Sequence, residues 1–286
     1  MVHASFFWPT SGVSFLHDSE EELLKLVDDG VLVHIMRESI MSMDKMSVHL
    51  SNDQTIQSDA IIFATGWVPS HNCLFDQDSA AELGLPIPLN TETPADASYW
   101  QNLQASANRM VLHLYPKLQN PPFQPPPKKT TPWRLFRTMV SPKLAAAHDY
   151  SLAFVGLISN NQVSTHAEIS ALWAVAYLEG KLSHGTVGRL LDDKLKMDVD
   201  VAAMTTFMAR RYLGRKEVPD AAMEIQDYTD QMMRDLGLRA DRKRMRMPAG
   251  WFGYQAWKAE WFTPYTPQDY RGVVREFLGN ATEKTG

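Results

Sequence analysis

From residue 19 onward the polar and apolar positions sort into short alternating elements. Ser19-Glu20-Glu21-Glu22 has the spacing of a capping box, Leu23, Leu24, Leu26 and Val27 follow on one helical side, and Gly30 stands where a helix ends in a left-handed residue. The period then shortens to that of a strand. Val31, Val33 and Ile35 alternate with Leu32, His34 and Met36, and Val48 and Leu50 resume the alternation before Ser51-Asn52-Asp53-Gln54. Two antiparallel strands and a short third at residues 55–57 are predicted. Residues 60–64, AIIFA, are apolar on both faces, as in a strand at the middle of a sheet. Burying Ile61, Ile62 and Phe63 there would contribute roughly 1.5–3 kcal/mol each.

Residues 69–100 are acidic and turn-rich, with LGLPIPLN bracketed by prolines, and predict irregular structure. In PKLQNPPFQPPPKKTTP, residues 116–132, three consecutive prolines favour polyproline II. A stiff surface loop is the simpler reading, and a dock for a proline-binding partner the other. Periodicity returns at Leu152. SLAFVGLIS reads as a buried strand interrupted by Gly156, Asn160-Asn161-Gln162 as a polar turn, and Thr165-His166-Ala167-Glu168 as a second capping box. Ile169, Leu172, Trp173 and Ala176 carry that helix toward Gly180. Strand, loop and helix in this order place free N–H groups and the positive end of a helix dipole at a sheet edge. Such a place suits a phosphate, or a ring oxygen gaining negative charge.

Composition narrows the classes. With 286 residues, 44% hydrophobic and 21% charged, the chain can bury a sizeable core in one large or two modest domains. A net charge of -5 provides no general field for nucleic acid or anionic lipid. The single cysteine, Cys73, forbids an internal disulfide and a cysteine-rich zinc site, which suits a reducing, cytoplasmic setting. The opening residues lack a basic n-region, no run is long enough for a spanning helix, and the nine histidines have no metal-ligand spacing. No metal, nucleic acid or transmembrane segment is expected.

Several short motifs then occur in a telling order: Ala64-Thr65-Gly66-Trp67, Leu114-Tyr115-Pro116, Phe154-Val155-Gly156, and the helix with Glu168, Leu172 and Trp173. Tyr228-Thr229-Asp230-Gln231-Met232 adds a tail pattern. Across residues 19–240 the sequence resembles the C-terminal half of the flavin-containing monooxygenase family, FAD- and NADP-dependent class B flavoproteins. The resemblance implies an α/β fold, part of a Rossmann-like, three-layer arrangement of two dinucleotide-binding domains. On it, residues 1–65 are a remnant of the NADP-binding domain with a β-meander. Residues 66–212 are the C-terminal part of the FAD-binding domain, and 213–286 a helical, aromatic-rich extension.

The chemistry the resemblance implies is insertion of one oxygen atom from O2 into a small organic metabolite, in a secondary-metabolic setting, with FAD and NADPH as cofactors. The flavin then performs oxygen activation, so no catalytic residue is assigned. Thr65, Gly66 and Trp67 would border the flavin or nicotinamide, with core packing the other role for Trp67. Gly156, Asn160, Asn161, Gln162, Ser164 and Thr165 would line the isoalloxazine side, or simply cap a helix. Glu168 is read as the reciprocal cap. Yet neither glycine-rich turn of the family is present; Gly12, Gly30 and Gly66 are too far apart to build one. The far side of a two-dinucleotide fold is expected without its near side. The alternative is therefore an inactive remnant serving as an interaction module or as half of a split enzyme. Either way an unpaired sheet edge predicts self-association or a partner chain.

Two further features are weighed. The basic residues Arg239, Arg242, Lys243, Arg244 and Arg246 read as a solvated helix end rather than a nuclear address or phosphate patch. Eight aromatics between Trp251 and Tyr270 read as a lid folded over the core, with a channel roof, a membrane edge or a second chain as the other uses.

Overall fold

The computed structural model describes residues 20–62, 74–122, 128–160, 162–182, 185–213, 219–245 and 253–283. The chain is mixed α/β and divides into two compact units, residues 14–70 and a larger one containing 71–286.

The smaller unit opens with helix α1, Glu20–Asp29, which ends at Gly30 with φ +61°. A meander follows: β1 (Ile40–Met43), β2 (Ser47–Leu50) and β3 (Thr55–Gln57), antiparallel in that order. Asp44 fixes its first turn. Its carboxylate accepts from the backbone N–H groups of Met46 (3.2 Å) and Ser47 (3.0 Å), and Met43 consequently pairs with Val48. That tight turn also corrects the predicted strand at residues 31–36. β1 must directly precede Asp44, so the earlier alternation cannot reach four-residue β2, and Val31, Leu32 and Ile35 are exposed. Residues 60–62 form no strand either, and Ile62 is 91% exposed. A central strand needs a neighbour on each side, whereas the described sheet ends at β3. Phe63 and Ala64 lie outside the described residues.

The larger unit is helical. Among the described residues its α-helices are α2 (Gln77–Leu83), α3 (Pro94–Leu114), α4 (Pro142–Ala146), α5 (Val163–Leu178), α6 (Gly185–Leu191), α7 (Lys194–Arg211), α8 (Ile225–Asp235), α9 (Arg242–Met245), α10 (Gly253–Phe262) and α11 (Val273–Glu283). α5 buries Ile169, Trp173, Ala176 and Tyr177, one helical face, and packs on α8 through a core that includes Met232 and Met233. Trp173 and Tyr177 stack with centroids 5.8 Å apart.

Four expectations change here. Residues 69–100, read as irregular, contain α2 and the start of α3; Asp76 caps the first by accepting from Ser79 N–H at 2.8 Å, and Thr93 caps the second, with Pro94 opening the helix. Acidic, turn-like residues were there because caps need them. Residues 151–158 form no strand, and Gly156 turns left-handed at φ +77°; an isolated parallel bridge joins Ser159 to Asp220. The capping box at Thr165 does not form. Gln162 is the N-cap, so Thr165 falls inside the first turn, buried, and Glu168 is exposed. Two members of the basic run are not solvated: Arg242 pairs with Glu276 at 2.7 Å, and Lys243 donates to the carbonyls of Thr263 and Pro264, whereas Arg239 is exposed and Arg246 lies outside the described residues.

The late aromatics divide. Tyr270 is buried in the main core, whereas Trp257 and Phe262 are exposed. Among the described residues no helix is long and apolar enough to cross a membrane.

Candidate functional site

The turn before α5 is built from short local bonds. Asn160 folds onto its own backbone, donating from Nδ2 to the carbonyl of Ile158 (3.2 Å) and accepting the Gln162 N–H at Oδ1 (3.0 Å). This Asx turn aims the chain into the helix. Gln162 then caps through its carbonyl, which accepts from His166 N–H at 3.0 Å. No side chain caps the N–H groups of this first turn, where Ser164 is exposed and Thr165 buried. Gly156 is exposed, with nothing within 4 Å of where a Cβ would stand. Thus Asn160, Gln162, Ser164 and Thr165 meet in one turn, with Gly156 upstream. Thr65, Gly66, Trp67 and Asn161 lie outside the described residues.

Of these residues Gln162 lines a cavity of about 790 Å³, shared with α8 and the segment around Tyr265. α8 buries Ile225, Tyr228, Met232 and Met233 and turns Gln226, Asp230 and Arg234, at i, i+4 and i+8, toward the cavity. Gln226 Nε2 donates to Asp230 Oδ1 (2.8 Å) and to the Tyr270 hydroxyl (2.7 Å). Its Oε1 is buried and has no partner. Burial pushes the Asp230 carboxyl up to about 6, against the opposing Gln226 hydrogen bond and the Arg234 charge. On the facing segment Tyr265 hydrogen-bonds Glu260, and burial raises its phenol further above the ordinary range.

A buried charge network stands behind α8. The Arg137 guanidinium contacts Asp235 at 2.7 Å and Asp200 at 2.8 Å, and Asp235 also accepts from Trp173 Nε1 at 3.1 Å. One carboxylate therefore ties the turn at 136–140 to α5 and α8. Arg137 and Thr138 are both left-handed, at φ +52° and +51°, a strained pair for side chains of this kind. Tyr228 holds them, its hydroxyl bonded to the Arg137 carbonyl and to Thr138 Oγ1. His166, in the first turn of α5, lies against Tyr228 with centroids 5.2 Å apart. Its Nδ1 is buried and unpartnered, and burial lowers its pKa to about 4, so the ring is neutral.

Uncapped helix N–H groups, a neutral imidazole and a Gln carbonyl suit an uncharged, hydrogen-bonding ring with partial negative charge on its oxygens. Groups of this kind would suit the ring end of a flavin; among their residues Gln162 and Gln226 line the cavity and His166 does not. A pyrophosphate is another matter: the left-handed glycines among the described residues are scattered singly and build no paired turn. Sequence reading missed Gln226 and Asp230, although Asp230 sits in the tail pattern. Their spacing along α8 was readable, but the burial that changes the acid was not.

Four carboxylates line the cavity, Asp227, Asp230, Asp241 and Glu260, of which Asp230 is the one that burial pushes up, and the described residues contain no cluster of metal-ligating side chains. Comparison with known proteins then gives the chain's relatives, which are fungal FAD-dependent monooxygenases. The chain is 29% identical to FAD-dependent monooxygenase resA of Aspergillus sclerotiorum over 98% of its own length and 46% of the relative's. With an FAD-dependent monooxygenase of Pyrenophora dematioidea it shares 31% over 76% of its length and 39% of the relative's. With FAD-dependent monooxygenase DEP4 of Alternaria brassicicola it shares 28%, over 95% and 43%. The chain thus spans less than half the length of these curated relatives. No family model matches it, and no solved structure matches significantly.

Proposed function

We propose that this chain is the flavin-side portion of an FAD-dependent monooxygenase that inserts one oxygen atom from O2 into a small organic metabolite in fungal secondary metabolism. The carrying observation is similarity to FAD-dependent monooxygenases along nearly the whole chain. We assign NADPH as reductant, a Rossmann-like arrangement of the class B kind, and a cytoplasmic setting on the same reading. The domain division is residues 1–65 from an NADP-binding domain, 66–212 from an FAD-binding domain and 213–286 an extension.

FAD, when bound, supplies the oxygen activation. The residues of this chain do the rest. Gln162 and the first-turn N–H groups of α5 would hold ring oxygens, joined by Thr65, Gly66, Trp67, Gly156, Asn160, Asn161, Ser164 and Thr165 around the cofactor. Asp230, poised near pH 6, would hold or release a proton at the substrate. Tyr265 would exclude water from the cavity.

The paired glycine turns absent from these residues would come from other polypeptide, in the same chain or a partner. A second reading, a non-catalytic interaction module, is favoured by the apolar residues exposed on the smaller unit. The visible spectrum of the chain after incubation with FAD and removal of free cofactor separates the two. Retained flavin that bleaches with NADPH is the expected result. A colourless chain that stays colourless when the missing half is co-expressed sinks the enzyme reading.

A further inference from the structure

A different cavity, of about 480 Å³, opens where α3 packs on α7. Gln104 and Asn108 line it from α3, and Thr206 and Arg210 from α7, each pair spaced i, i+4 and so on one helical flank. Leu118 and Lys128, from the segment after α3, complete its wall. Lys128 and Arg210 are cations, and no lining residue is an acid. In a chain of net charge -5 this is a local reversal of sign.

Arg210 differs from the arginines around it. Each of the other described arginine side chains that is not exposed pairs with a carboxylate: Arg134 with Glu92, Arg137 with Asp235, Arg211 with Glu224 and Arg242 with Glu276. Arg210 is held by two uncharged oxygens instead. Its Nε donates to Asn108 Oδ1 at 2.5 Å and its Nη1 to the Leu118 carbonyl at 3.1 Å, and both acceptors belong to residues of the cavity wall. These bonds fix the guanidinium plane without neutralising its charge. Nη2 has no partner among the described residues and is accessible to solvent, so it can donate to a guest without breaking a bond. A planar fork of this kind takes oxyanions. Lys128 is exposed and pairs with no carboxylate among the described residues.

Two cations facing no acid call for a group with more than one negative charge. A phosphate monoester carries about 1.5 to 2 at pH 7 and offers three strong acceptor oxygens, against the single charge of a carboxylate. The Gln104 amide and the Thr206 hydroxyl, which bond to no described side chain, supply further donors. Pro121, Pro132 and Leu213 form an apolar side, and the volume exceeds what a bare ion fills. We propose that this cavity binds a small organic phosphate monoester. Arg210 and Lys128 take the phosphate, Gln104 and Thr206 its remaining oxygens, and the organic body lies against the prolines and Leu213. The site shares no lining residue with the cavity at α5 and α8 and does not rest on the flavin reading.

Titration of the full-length chain into phenyl phosphate, followed by the phosphorus NMR line of the ligand, tests this. The line is expected to shift saturably, and the affinity to fall severalfold when salt is raised from about 0.05 to 0.3 M. Inorganic phosphate, without the apolar body, and benzoate as a competitor, with one charge, are each expected to bind at least about tenfold more weakly. Lys128→Gln alters an exposed side chain that holds nothing else in place, so it should leave the melting temperature unchanged and weaken phenyl phosphate severalfold. Arg210→Gln should abolish the shift. No saturable shift with phenyl phosphate up to about 10 mM, benzoate competing on equal terms, or an affinity that Lys128→Gln leaves unchanged overturns the proposal.

Discussion

Asp230 and Arg137 show how differently burial acts on single charges. The Asp230 carboxyl titrates near 6 in the fold and about 3.9 in the unfolded chain, so the fold binds the extra proton between those values. Its contribution to stability therefore falls as pH rises from about 4 to 6. His166 acts oppositely: lowered to about 4 in the fold, it loses stability as pH drops from about 6.5 toward 4. Because the two windows overlap, the difference between Asp230→Asn and wild type is the clean readout. We expect the variant to be more stable by about 1–2 kcal/mol at pH 7.5 and level with wild type near pH 4, by urea unfolding. Equal stability at both pH values would refute the shift. Arg137, by contrast, is fully paired. Arg137→Met leaves Asp235 buried beside Trp173 with no cation, at an expected cost of about 3–5 kcal/mol, and adding Asp235→Leu should recover much of it.

Among elements, the junction of α2 and α3 is the most exacting. Thr93 caps α3 by accepting Asp96 N–H at 3.2 Å, so Thr93→Ala should cost about 1 kcal/mol in chemical denaturation. Gly84 ends α2 at φ +84°, and an added Cβ would stand 2.6 Å from the Arg134 carbonyl oxygen. Gly84→Ala should therefore cost ~2 kcal/mol or more. A loss below that of Thr93→Ala would show that the backbone gives way. α5 is the complementary case, a helix with an apolar face on α8 and an open, uncapped start. Its stability comes from packing, which leaves its first-turn N–H groups available to a ligand.

For the whole molecule the informative surface is apolar. Val31, Leu32, Ile35 and Ile62 in the smaller unit are each at least 70% exposed, and β1 and β3 are exposed along their length. Such a surface favours further contacts. Self-association or capture of a complementary chain is the expected behaviour, read by light scattering, and Leu32→Gln with Ile62→Gln should lower the apparent mass. A monodisperse monomer at high concentration would count against both the split-enzyme and the interaction-module readings.

The sequence by itself determined the local elements whose signals are self-contained. α1 ends at Gly30, β2 and β3 lie where the alternation put them, and α5 runs from a polar turn to Gly180, because caps, turns and helical faces depend on neighbours a few residues away. The motif order that pointed to flavin monooxygenases was legible for the same reason. Whatever requires a partner across space was not. Residues 31–36 and 60–62 have strand patterns, but a strand exists only where another pairs with it, and the Asp44 turn gives β2 to β1 instead. Tertiary structure alone decided that Arg242 and Lys243 are buried, that Asp230 titrates near 6, and that Lys128 and Arg210 line one hollow without an acid. Desolvation and the pairing of charges depend on what the folded chain brings alongside, which no spacing along the sequence records.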